Sequence, residues 1–291
     1  KRFGNFVIFC GQIFKMRLDD WATILIGHFC DEDGERAIDV MDDPKSLDFR
    51  SVPQNAAGLQ AKLQDLLKKS GYLSSNDHIK VWASFFNKLV LHLTVPSQDA
   101  MESFIRFNEA FGIMINIAKD QFDGAWCLEI FDYFGKKLTV LGEQADDDLF
   151  AKGSIEKTTD RVVATFQTLF SMCQKDNSPP PNSKLMGVMF CINSLFRIYF
   201  KQRKYRSCTP LINWVCNSNA CPPLAQFSKA DQVTYNYYFG RLELLNQSLL
   251  SAEEALMSSF RLCDPNSSNR ILILTYLIPI RICLGIFPEE S

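Results

Sequence analysis

The sequence predicts an all-α fold, a superhelix of stacked helical hairpins, on three observations. DQVTYNYYFGRLELLNQ places Val233, Tyr237, Gly240 and Leu244 on one face at helical spacing. SAEEALMSSFRLC puts Ala252, Ala255, Leu256, Ser259, Phe260 and Cys263 on one side. Small residues there let a neighbouring helix approach closely, while Phe260 fills the gap beyond them. Aligning Phe200 with Leu244, Tyr205 with Leu249 and Cys208 with Ala252 gives a period of 44 residues, within the range of helical-hairpin repeats.

Taken in order, residues 3–30 read as two amphipathic helices, with Asp19 and Asp20 at the start of the second. The acidic stretch 31–48 reads as a solvated loop with a short helix. Residues 55–70 are a helix with a Leu59, Leu63, Leu66 and Leu67 stripe, ended by Gly71. From Asn76 a longer helix carries Ile79, Trp82, Phe86, Leu89 and Leu93 inward, with Asn76 or Asp77 as its cap, and Pro96 stops it. The next begins at Ser97 and buries Met101, Phe104, Ile105, Phe107 and Phe111. Further helices are expected over Asp123–Leu141 and Ile155–Gln174. QKDNSPPPNSK breaks the pattern, because consecutive prolines cannot propagate a helix, and it marks a corner between helical subregions. Beyond it, LMGVMFCINSLFRIYFKQ and KYRSCTPLINWV form one hairpin and residues 229–263 the next. NRILILTYLIPIRICLG is apolar nearly all round, so it is expected between other helices. Tyr237, Gly240, Phe260 and Pro279 are read as structural core.

Composition narrows the functional classes. With 31 basic and 33 acidic residues the whole chain selects no charged partner. The ten cysteines are scattered, with no CxxC pair, and read as reduced, mostly buried thiols rather than a disulfide framework or zinc site. KRFGNFVIFCGQIF begins like a signal peptide but lacks a small-residue cleavage site, and the chain opens without Met, as an excised fragment would. The apolar run 271–286 is interrupted by Pro279 and Arg281 and is short for a span, so no membrane segment is expected.

Catalytic patterns are missing from the sequence: no phosphate loop, dinucleotide fingerprint, HExxH or GxSxG, so neither an enzyme nor a cofactor is expected. His78 and His92, fourteen apart, could share a helix face but read as structural or solvated. Asp146–Asp148 could bind a divalent ion but reads as a helix-start charge cluster. The informative feature is charge distribution. Between Asn177 and Ala230 there is no Asp or Glu, while Lys184, Arg197, Lys201, Arg203, Lys204, Arg206 and Lys229 are present. These seven leave −9 on the remainder of a chain whose net charge is −2. Arg197, Lys201, Arg203, Lys204 and Arg206 are therefore the candidate surface for nucleic acid or an acidic partner, against a simpler reading as a solvated helix end.

QVTYNYYFGR, AEEALMSSF and NRILILTYLIPIRICLG, in that order and spacing, resemble the core of PCI-domain proteins. The nearest group is the mRNA-export subunit family that also contains the COP9-signalosome-subunit-twelve-like proteins. The likeness is strongest over 184–285, weaker over 81–118, and poor before Asn76. It implies an N-terminal helical region with an acidic insert (1–75), a central helical-repeat region (76–175), and the TPR-like helical part of a PCI domain (184–291). The winged-helix module of that family is not found in this chain. The resemblance further implies a non-enzymatic scaffold of an assembly coupling transcription to mRNA export at nuclear pores, with the cytoplasm as a second location. Its implied partners are a large SAC/GANP-type export scaffold subunit and a small acidic proteasome-lid-type subunit, with RNA or DNA as a further ligand. Another PCI assembly (signalosome, proteasome lid or translation initiation) and a stand-alone peptide-binding adaptor stay open.

Overall fold

The computed structural model describes residues 16–42, 47–53, 55–96, 99–154, 157–179 and 182–287. The expected first helix and its signal-like run, the Ser97 start and the Ile155 start lie outside these residues. Two units emerge, Lys1–Thr158 and Thr159–Ser291. Both are all-α: the described residues hold twelve α-helices packed in stacked pairs and no strand, only a single bridge between Met16 and Leu47.

The first unit contains α1 (Leu18–Cys30), α2 (Gly34–Asp42), α3 (Ala56–Ser70), α4 (Asn76–Leu93), α5 (Ala100–Gln121) and α6 (Leu128–Ala151). α3 starts where Asn55 accepts the Gly58 N–H and ends at Gly71, whose φ of 74° is open to a residue without a Cβ. Its Leu59, Leu63 and Leu67 are buried, while Leu66 is only partly so. Ser75, not Asn76 or Asp77, caps α4. The acidic stretch carries the short helix expected of it, α2, whose Ala37 and Met41 are buried. α4 lies against α3 and α5, and α5 against α6. Rings fill the space between them: Phe29–Trp82 at 4.9 Å, Phe107–Phe134 at 5.0 Å and Phe111–Phe134 at 5.2 Å between centroids.

α6 runs beyond the expected Leu141, which corrects the reading of the three aspartates as a helix start. They lie in its last turns, where Asp146 accepts from the Thr158 hydroxyl (2.8 Å) and Asp148 pairs with Lys152 (2.7 Å). His78 is exposed while His92 is buried, so the two form no common site. The His92 ring meets Phe107 at a tilt, 4.9 Å between centroids, and its Nδ1 lies 3.1 Å from the Ser103 carbonyl oxygen and hydroxyl.

The second unit contains α7 (Thr159–Cys173), α8 (Val188–Lys201), α9 (Thr209–Asn217), α10 (Lys229–Leu245), α11 (Leu249–Leu262) and α12 (Asn269–Cys283). The Gln167 amide donates to the Tyr199 hydroxyl (3.2 Å), linking α7 to α8, and the Asn193 amide donates to the Asp231 carbonyl (3.1 Å), linking α8 to α10. Gly240 lets α10 and α11 meet: a Cβ there would lie 2.7 Å from Leu256 Cγ and 3.1 Å from the Ala252 carbonyl oxygen. The Ser259 hydroxyl donates to the Val233 carbonyl (2.8 Å) across the same seam. Val233, Tyr237, Leu244 and Phe260 pack, partly buried, around a core of Ala252, Leu256, Cys263, Ile273, Leu277 and Ile280.

One closing turn recurs at five helix ends, with Glu32, Gly153, Arg203, Gln247 and Gly285 in its left-handed position. Arg203 (φ 57°) and Gln247 (φ 64°) adopt it at the ends of α8 and α10. The closing bonds match one for one. The N–H groups of Gln202, Arg203 and Lys204 donate to Ile198, Phe200 and Tyr199, as those of Asn246, Gln247 and Ser248 donate to Leu242, Leu244 and Glu243. Each helix thus ends in the turn usually given to glycine.

Two expectations for α12 are corrected. Only Ile273, Leu277 and Ile280 face the core, while Ile271, Leu272, Ile278 and Ile282 are 69%, 53%, 50% and 52% exposed. Pro279, expected in the core, is exposed as well. Within the described residues α12 packs against α11 and, through Tyr276, against Tyr237 of α10, which leaves its other side bare; an all-round apolar pattern cannot reveal this.

Candidate functional site

The basic run sits where α8 ends. Arg197 lies on the outer side of α8 and Lys201 is its last residue; Arg203, Lys204 and Arg206 follow in the left-handed turn and the short 3-10 segment Tyr205–Cys208. All five side chains are exposed, and they cluster at the negative end of the α8 dipole. The turn explains their direction. Tyr199 and Phe200 are pulled inward with the rest of the α8 core face, leaving the intervening cations outside. Two features narrow the field expected from sequence. Lys204 pairs with Asp160 of α7 at 3.2 Å, an exposed contact of small energetic weight. Lys184 is buried and does not contribute to the surface.

Beside this turn lies a group that the charge pattern did not single out. The Phe200 ring touches Tyr205 (5.2 Å) and Tyr238 (5.1 Å), and Tyr237 touches Tyr238 (5.2 Å) and Tyr276 (6.0 Å). The Arg241 guanidinium stands among them, 4.6 Å from the centroid of Phe200, 4.7 Å from Tyr276, 5.2 Å from Tyr237 and 5.8 Å from Tyr238. Its Nη1 donates to the Tyr237 hydroxyl at 3.3 Å. Burial pushes the Tyr238 hydroxyl up, while the guanidiniums of Arg241 and Arg197 pull it back, so both cations act on one ring. The sequence signal was the spacing in YxYYxGR, which sets Tyr237, Tyr238 and Arg241 on one side of α10. That Phe200 and Tyr276 would close over Arg241 is a tertiary fact.

The third feature is the bare side of α12. Ile271, Thr275, Ile278 and Ile282 recur at helical spacing, are all exposed, and have no charge among them. Of the four residues read as core, Gly240 is fully buried, Tyr237 and Phe260 are partly buried around the α11–α12 cluster, and Pro279 lies outside it.

Among the described residues there is no cluster of His, Cys, Asp and Glu able to hold a metal ion, and no helix long and apolar enough to cross a membrane. The nine described cysteines are free thiols, five of them buried; Cys10 lies outside the described residues.

No family model matches the chain. It is 30% identical over 209 residues to a protein of Drosophila melanogaster named PCI domain-containing protein 2 homolog, covering 70% of this chain and 51% of that one. It is 34% identical over 170 residues to PCI domain-containing protein 2 of Danio rerio, covering 57% and 42%. It is 31% identical over 140 residues to a CSN12 homolog of Neurospora crassa, covering 47% and 31%. The matches cover from 31% to 60% of the length of the curated relatives.

Proposed function

On the premise of a PCI-domain family, which these relatives support, we propose that the chain is a non-enzymatic scaffold subunit of a multiprotein complex. The observation that supports this reading best is the bare face of α12. Monomers rarely leave a contiguous uncharged row of branched side chains in water, and such rows mark interaction sites. Within that reading the complex couples transcription to nuclear mRNA export at the nuclear pore. Its partners are a large export scaffold subunit and a small acidic subunit. The exposed cations Arg197, Lys201, Arg203, Lys204 and Arg206 form a second surface, for RNA, DNA or an acidic partner. A subunit of another PCI assembly is the second reading.

Co-purification of the tagged chain from nuclear extract, followed by mass spectrometry, tests both. Stoichiometric export subunits support the first reading and signalosome subunits the second. Recovery of the chain alone contradicts a scaffold role.

A further inference from the structure

We infer that Arg241 and the tyrosines around it form a phosphate-and-base subsite for single-stranded nucleic acid, continuous with the basic turn at the end of α8. This rests on the reading of that turn as a surface for an anionic partner and names the partner's chemistry.

Arg241 is a cation without a counter-charge. Among the described residues no carboxylate pairs with it, and its one hydrogen bond goes to the Tyr237 hydroxyl. A guanidinium carries five N–H donors, and those of Arg241 are not sealed from solvent. Its plane is held by Phe200 of α8 and Tyr276 of α12, so a bound phosphate meets a pre-oriented fork rather than a mobile chain. Arg197, exposed on α8, lies close enough to act on the same Tyr238 ring as Arg241.

The rings decide between anions. Tyr205, Tyr238, Tyr237 and Tyr276 are each only partly buried, and they link through Phe200 into one string from the basic turn to α12. An acidic peptide would use the cations and leave the rings idle. A duplex keeps its base faces stacked inside. A single strand offers phosphates and open bases together, and rings interleaved with cations bind it with little regard to sequence.

Binding of a fluorescent twelve-nucleotide oligouridylate to the full chain, measured at two salt concentrations, tests this. Arg241→Gln and Tyr276→Ala are each expected to weaken binding about tenfold, while Tyr276→Phe, which keeps the ring, binds as the parent does. Arg241→Gln also flattens the logarithmic salt slope by about 0.7, the loss of one phosphate contact. If the combined variant Lys201→Glu, Arg203→Glu, Lys204→Glu weakens binding but Arg241→Gln and Tyr276→Ala do not, this inference falls and the basic surface stands. No binding by the parent chain removes the inference. Polyglutamate bound in its place assigns the basic surface to an acidic peptide, and binding of neither probe removes both readings. Should Arg241→Gln lose its helical circular dichroism, photocrosslinking of 4-thiouridine RNA to the unmodified protein decides. Crosslinks at Tyr205, Tyr237, Tyr238 or Tyr276 support the subsite, and crosslinks confined elsewhere overturn it.

Discussion

Gly240→Ala sets two effects of similar size against each other, and the geometry decides the sign. In an exposed helix interior, alanine is favoured over glycine by about 1 kcal/mol. At Gly240 the new methyl carbon would lie 2.7 Å from Leu256 Cγ, 3.2 Å from its Cδ2 and 3.1 Å from the Ala252 carbonyl oxygen. Carbon atoms pack comfortably at about 3.5–4.0 Å, so the shortfall is close to an ångström. Neither obstacle can swing away. One is backbone, the other is the branch point of a fully buried side chain. α11 must move, and that loosens the Ser259–Val233 hydrogen bond and the Ala252–Leu256–Ile273 core. Overpacking of this kind costs about 1–3 kcal/mol, giving a net loss of up to about 2 kcal/mol for Ala and more for Val. Gly112 on α5 is the control, since a Cβ there meets nothing within 4 Å, and Gly112→Ala should stabilise by up to about 1 kcal/mol. Urea denaturation followed by circular dichroism reads both. If Gly240→Ala stabilises as Gly112→Ala does, the close approach of α10 and α11 is refuted.

Burial, and then the nearby Lys137 charge, lower the His92 pKa from 6.5 to about 4. The unfolded chain therefore binds more protons between those values, and stability falls as pH drops through that window. Between pH 7 and pH 5 this one group should cost about 2 kcal/mol, and His92→Gln should remove that part of the pH dependence of urea unfolding; an unchanged slope contradicts it. Arg203→Gly and Gln247→Gly should each stabilise the second unit by about 0.5–1 kcal/mol in the same assay, because glycine takes the left-handed turn without strain. Opposite signs at the two positions would deny that the two turns carry the same strain.

Much of the fold was legible because local signals and packing agree. The Leu59–Leu63–Leu67 stripe between Asn55 and Gly71 gave α3 its bounds. The turns at Arg203 and Gln247 stand 44 residues apart, but α1, α6 and α12 end in the same turn, so it marks a helix end rather than the repeat. What was not legible needed a partner in space. A helix apolar on all sides looks the same whether one flank or all are covered, so Ile278 and Pro279 were placed inside. Asp146–Asp148 fits either end of a helix until Thr158 is seen to close on Asp146. Of the candidate site, the exposed cations of 197–206 could be read from charge alone. Arg241 could not, since Phe200 and Tyr276 come to it from distant parts of the sequence.

The scaffold reading turns on the bare face of α12. Ile278→Asp with Ile282→Asp puts two charges on that row at side chains already half in water, so the unfolding free energy should stay within about 1 kcal/mol of the parent. Quantitative co-purification of this variant beside the parent is the direct measurement. The folded variant is expected to lose the stoichiometric partners. Full retention of every partner by the folded variant would contradict the scaffold reading.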